Sequence, residues 1–167
     1  MEQLHQQLSK GFSNKSLKLN RWLVILDVLE KYGVESVLEF GSGLSTLLFE
    51  KLGVSVISLE TNPEYLRWVR SRSRGDAKFV LWDNENYPLS IQPFDMALVD
   101  GDVPRRSQAQ TAQKCSSIVC MDDWGRGLVQ KGWSTQGCGD LFTDWRRVDN
   151  CSTILAVFED ESKRNNK

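Results

Sequence analysis

The stretch Val37–Glu50, VLEFGSGLSTLLFE, decides the fold. An apolar run interrupted by Glu39 ends at Phe40, two glycines follow one residue apart, and a second apolar pattern begins. Ser36 to Phe40 has the length and composition of a short strand. Ser45 to Leu52 has helical spacing, and Gly53 stands where a helix would stop. The turn Gly41-Ser42-Gly43 thus joins the carboxyl end of a strand to the start of a helix.

The same alternation continues outward. Leu19, Trp22, Leu23, Leu26 and Leu29 predict a helix over about 18 to 32, ended by Gly33. Val54 to Leu59 reads as a second strand. In TNPEYLRWV, Asn62 can cap a helix, Pro63 suits its first position and Glu64 suits its positive start; this helix runs to about Arg72. Lys78 to Leu81 makes a third strand and Met96 to Val99 a fourth, after the Phe-Asp dipeptide. Pro104 to Lys114 is the next helix and Ser117 to Met121 a fifth strand. The alternation of strand and helix predicts a mostly parallel sheet covered by helices in an α/β fold. The tail departs from this rule: WRRV and STILAVFE flank Asp149 and Asn150, a hairpin signal that predicts an antiparallel strand at the sheet edge.

A chain of 167 residues is expected to form a single domain, 1–167, with a polar leader over 1–17 and a polar tail over 160–167. With 40% hydrophobic and 26% charged residues it has the composition of a globular protein, and a net charge of -1 gives no general pull toward nucleic acid or anionic membrane. No apolar run approaches the roughly 18 residues of a membrane span, and the N-terminal stretch lacks the apolar segment of a secretion signal, so no membrane partner and a cytoplasmic location are expected. Cys115, Cys120, Cys138 and Cys151 lack paired spacing and read as core thiols. The single histidine, His5, excludes a Ser-His-Asp triad and a multi-histidine zinc site.

In an open α/β sheet, ligands bind beyond the carboxyl ends of the strands, where Gly41-Ser42-Gly43 lies. Glycine admits close approach to the backbone, and the first N–H groups of the following helix are available to a ligand. Glu60 ends the second strand, near the spacing at which an acid accepts from ribose hydroxyls, so a nucleoside ligand is expected. The third dinucleotide position is Thr46 rather than a small residue, and neither a phosphate loop nor a nucleophile elbow is present.

The ordered series VLEFGSGLST, ISLETNP, FVLWDN, FDMALVDGD and IVCMDDW resembles the successive motifs of class I S-adenosylmethionine-dependent methyltransferases, over about residues 34 to 125. The Val-Asp-Gly-Asp segment resembles small-molecule O-methyltransferases in particular, and no Asn-Pro-Pro-Tyr of amino-directed DNA methyltransferases follows the fourth strand. The resemblance implies a Rossmann-like, doubly wound, three-layer α/β/α fold and transfer of a methyl group from S-adenosylmethionine to a small-molecule acceptor, by O-methylation.

The resemblance also implies roles for individual residues. Glu39, Gly41, Ser42 and Gly43 would line the methionine end of the cofactor, with Glu39 near its ammonium group. Glu60 would hold both ribose hydroxyls, Thr61 and Asn62 would lie beside the adenine, and Trp82 and Asp83 would cover its face and meet its exocyclic amine. Trp82 reads also as an ordinary core aromatic. Asp100 would stand by the methyl donor, with Asp102, Arg105 and Arg106 near the acceptor; the arginines read equally as a clamp for an acceptor anion and as ordinary exposed charges. Resemblance to metal-dependent catechol-type O-methyltransferases implies a divalent cation, magnesium by preference, on Asp100, Asp122 and Asp123. Here Asp123 stands for that family's asparagine and Val103 for its catalytic lysine. The aspartates read also as caps or as partners of Arg126.

The glycine-rich run after the fifth strand, DWGRGLVQKGWSTQGCGDLFTDW, stands where relatives have a helix, and acceptor recognition is expected there. The acceptor pocket is expected to be either open or completed by a second subunit in a homodimer. Two other readings remain: a fold relative that binds the cofactor or a nucleotide without catalysis, and a nucleic-acid binder using Arg67, Arg70, Arg72 and Arg74. That basic run spans a helix end and has the ordinary meaning of a solvated face.

Overall fold

The computed structural model describes residues 18–83, 93–101, 105–122, 138–147 and 155–164, together with Gln3, Gln6 and Phe12. Helix α1 is Leu19–Tyr32 and strand β1 is Ser36–Phe40. Helix α2, Leu44–Leu52, follows the glycine turn, and strand β2 is Ser55–Glu60. Helix α3 is Pro63–Arg70, with the Asn62 side chain accepting from the N–H groups of Glu64 and Tyr65, as the sequence predicts. Then come β3 (Lys78–Leu81), β4 (Phe94–Val99), α4 (Arg105–Cys115), β5 (Ser116–Met121), a 3-10 turn at Gly139–Phe142, β6 (Arg146–Arg147), β7 (Ala156–Glu159) and a last helical turn, α5 (Glu161–Arg164).

The seven strands form one sheet in the order β3-β2-β1-β4-β5-β7-β6. The first five are parallel, and β7 and β6 are antiparallel additions at one edge. Alternating residues of each strand serve two separate cores. Val37, Met96, Leu98, Ile118, Cys120 and Val157 face α1 and α2, where Trp22 packs edge-on to Phe49. Leu38, Phe40, Ala97, Val99, Val119, Met121 and Phe158 form the other core with α4 and Phe142. Helices on both faces of a mostly parallel sheet make the expected three-layer architecture.

One strand boundary is corrected. Strand β4 begins at Phe94, two residues early, because Phe94 is buried and Asp95 accepts from the N–H groups of Glu35 and Ser36, which ties it to the start of β1. The antiparallel edge hairpin expected from the tail is present: β6 pairs with β7, with Arg147 facing Phe158. Glu161–Arg164 of the polar tail form a helical turn, with the Asp160 side chain accepting from the N–H of Ser162. Cys115, Cys120 and Cys138 are buried free thiols, as expected, while Cys151 lies outside the described residues. Among the described residues no helix is long and apolar enough to cross a membrane.

Candidate functional site

The register of the parallel strands aligns their carboxyl ends. The N–H of Gly41 donates to the carbonyl of Leu59, Trp82 to Glu60, Asp100 to Phe40 and Asp122 to Val99, each at 2.8–3.0 Å. Gly41, Thr61, Trp82, Asp100 and Asp122 therefore stand in one row just beyond the sheet, centred on the β1–β4 boundary where the strand order reverses. An open α/β sheet has its crevice at that point.

Gly41 has φ 97°, a left-handed conformation. A Cβ placed there would lie 2.8 Å from both the Cα and the N of Gly101. Its glycine thus lets β1 and β4 close upon each other, a different reason from the ligand approach that the sequence suggests. Gly101 in turn admits the side chain of Gln108 from α4, which would sit 2.8 Å from an added Cβ.

Beneath the turn lies Glu39, with no exposed surface. Its carboxylate accepts from the hydroxyls of Ser45, Thr46 and Ser58, and Ser42 bonds to Ser58 at 2.8 Å. The Gly43 N–H donates to the Thr46 hydroxyl at 2.9 Å. The carboxylate thus holds the turn from below. Burial pushes its carboxyl up to about 7 from 4.5, against the hydroxyl hydrogen bonds that favour the charged form. Between these values the folded chain keeps a proton that the unfolded chain releases. Glu39's contribution to stability is consequently full below about pH 4.5 and is lost as pH rises to about 7, by about 3 kcal/mol. We expect Glu39→Gln to remove this dependence. Urea denaturation of both proteins at pH 5 and pH 8 checks it, and equal slopes with pH would contradict it.

Glu60, half-buried at the end of β2, is held by main chain. One oxygen, Oε1, accepts from the N–H groups of Thr61 and Asn62 at 2.8 and 2.9 Å, and the other, Oε2, from Ser42 at 3.1 Å. The acid thereby links the glycine turn to the start of α3. Thr61, Asn62 and Asp83 are exposed beside it. Trp82 is only 4% exposed and packs edge-on against Phe40 at 5.4 Å. Its ring is a wall of the core, so the implied stacking plane for a base is not an open surface.

At the other side of the switch point, Asp100 lies 4.0 Å from the Arg105 guanidinium, which also donates to the main-chain oxygen of Asp122. The Asp122 carboxylate is paired with Arg21 of α1, and both side chains are buried. A guanidinium already neutralises Asp122, a second stands beside Asp100, and Asp123, Asp102 and Val103 lie outside the described residues. Among the described residues no cluster of three potential ligands could hold a metal ion. Of the basic run, Arg72 lies over the Trp68 ring at 3.8 Å, while Arg67, Arg70 and Arg74 are exposed.

Three residues at the site escape sequence reading. Ser58 is a polar residue inside the strand VSVISL, and its register opposite Glu39 explains it. Arg21 stands in the buried face of α1 and meets a residue 101 positions away. Tyr65, on the first turn of α3, brings its hydroxyl within 3.9 Å of a Cβ added at Gly43. Only Ser58 carried a local signal, as the one hydroxyl among the inward positions of β2.

No family model matches the sequence and no curated protein matches it. Solved structures do. An O-methyltransferase from Bacillus cereus in complex with SAH is 15% identical with a TM-score of 0.69, over 95% of this chain and 90% of that one. The O-methyltransferase TomG from Streptomyces achromogenes, involved in tomaymycin synthesis and in complex with SAM, is 16% identical with a TM-score of 0.68, over 95% and 87%. The N-methyltransferase NodS from Bradyrhizobium japonicum WM9 is 14% identical with a TM-score of 0.63, over 84% and 94%. The fold is therefore the Rossmann-like fold that these methyltransferases share.

Proposed function

We propose that the protein is an S-adenosylmethionine-dependent methyltransferase acting on a small-molecule acceptor, by O-methylation. The observation that carries this reading is Glu60 at the end of β2, fixed by the N–H of Ser42 from the adjacent glycine turn. An acid so placed beside the switch point accepts from ribose hydroxyls.

When bound, the cofactor supplies a methyl group on a sulfonium cation, so the protein's task is alignment and charge. Gly41, Ser42 and Gly43 form the floor of the cleft, with the positive start of α2 behind them. Asp83 and the main chain of Thr61 and Asn62 would border the adenine. Asp100 would put negative charge beside the sulfonium, which favours a cation. Arg105 stands 4.0 Å from that carboxylate. Its guanidinium also offers donors to an acidic acceptor. The likeness spans both O- and N-methyltransferases, so the oxygen acceptor rests on the Val-Asp-Gly-Asp segment rather than on the fold.

Calorimetry with S-adenosylhomocysteine and NAD tests the ligand, and labelled S-adenosylmethionine with a metabolite panel tests transfer. We expect the sulfur nucleoside to bind more tightly than NAD. Glu60→Ala should weaken it by about 1.5 to 3 kcal/mol, the worth of hydrogen bonds to a charged group. Equal binding of NAD, or an unchanged Glu60→Ala protein, contradicts the reading.

A further inference from the structure

The ribose that Glu60 would receive has two hydroxyl donors, and a carboxylate has about four lone-pair positions. Three are already occupied by the N–H groups of Thr61, Asn62 and Ser42. The two hydroxyls therefore compete with main-chain donors for Glu60, and a further acceptor beside it would share them.

We infer that Tyr65 supplies this acceptor: its side-chain oxygen, poised over the Gly41-Ser42-Gly43 turn, is a further binding group for the ribose of an adenosyl ligand. This inference rests on the methyltransferase reading and deepens it. The ring is braced on one side, with the residue 37% exposed. It stacks on Trp68 at 5.5 Å and 18°, and Trp68 is itself backed by the Arg72 guanidinium at 3.8 Å and by the edge of Phe12 at 4.8 Å. The hydroxyl points across the cleft to within 3.9 Å of a Cβ added at Gly43, and it makes no hydrogen bond to another described residue. Burial, followed by the negative charges of Glu60, Asp100 and Glu39, pushes this phenol up to about 12, so the group stays neutral and protonated. A neutral hydroxyl can accept from a ribose hydroxyl, and its own proton can turn to a neighbouring carboxylate.

The test is Tyr65→Phe, which removes one oxygen and keeps the ring on Trp68. Equilibrium dialysis measures S-adenosylhomocysteine, adenosine and 2′,3′-dideoxyadenosine against both proteins, with melting curves as a fold check. Expected is an affinity loss of about 5- to 10-fold for the first two ligands, the size of one net hydrogen bond, with no change for the dideoxy compound and an unchanged melt. Unchanged S-adenosylhomocysteine affinity in Tyr65→Phe overturns this inference alone, as does an equal loss with the dideoxy compound, which would mean that the ring merely packs. Failure of the wild type to bind S-adenosylhomocysteine overturns the methyltransferase reading, and this inference with it.

Discussion

Gly41→Ala is expected to lower stability by about 3 to 5 kcal/mol, summing the cost of a left-handed conformation for a residue with a Cβ and that of overpacking. The φ of 97° is open to glycine, and the added carbon would lie 2.8 Å from the main chain of Gly101. Backbone cannot swing aside as the end of a side chain can. To relieve the overlap, β1 and β4 must separate at the centre of the sheet. Urea denaturation should show a lower midpoint, and a melting temperature lower by roughly 10 °C follows for a chain of this size. Gly43→Ala is the control two residues away. Its φ is −179°, which any residue adopts, and an added carbon meets nothing closer than the Tyr65 hydroxyl at 3.9 Å. We expect that variant to fold within about 1 kcal/mol of wild type. Equal losses in the two variants would refute the distinct role of Gly41.

The contrast between the two glycines locates the limit of the sequence reading. That both belong to a strand-to-helix turn followed from local pattern: an apolar run, two glycines and a new apolar period. The same local logic located the five parallel strands, the Asn62 cap and the row of residues at the carboxyl ends. What local pattern could not carry is the identity of the neighbour across the sheet. Gly41 answers to Gly101, Glu39 to Ser58, and Asp122 to Arg21; the first two pairings are set by strand order and register, the third by the packing of α1 on the sheet. Glu39 illustrates the consequence. In a row of motif positions it reads as a group that reaches the ligand, but strand alternation turns it to the face covered by α2, where hydroxyls surround it. The hairpin register was hidden for a related reason. A turn dipeptide signals reversal without counting the residues between paired positions, and Arg147 pairs with Phe158 across a longer span.

The Arg21–Asp122 pair sets the second large expectation, because both groups are buried and each is the other's counter-ion. Arg21→Met leaves a carboxylate in the interior without a cation, and Asp122→Leu leaves a buried guanidinium; each should cost about 3 to 5 kcal/mol. The double variant should recover most of that loss, ending within about 2 kcal/mol of wild type, since two charges need not then be desolvated. Asp122 Oδ1 has no hydrogen-bond partner among the described residues, so the pair is incompletely satisfied and an apolar replacement competes well. Denaturation of the four proteins gives the coupling directly. The same set tests whether a guanidinium stands where related carboxylate arrays hold a metal. If it does, magnesium should neither stabilise the wild type nor restore Arg21→Met, because Arg21 has supplied the positive charge from within the chain. Additive losses in the double variant would show that the two side chains act separately. Rescue of Arg21→Met by magnesium would return Asp122 to the role of a cation ligand.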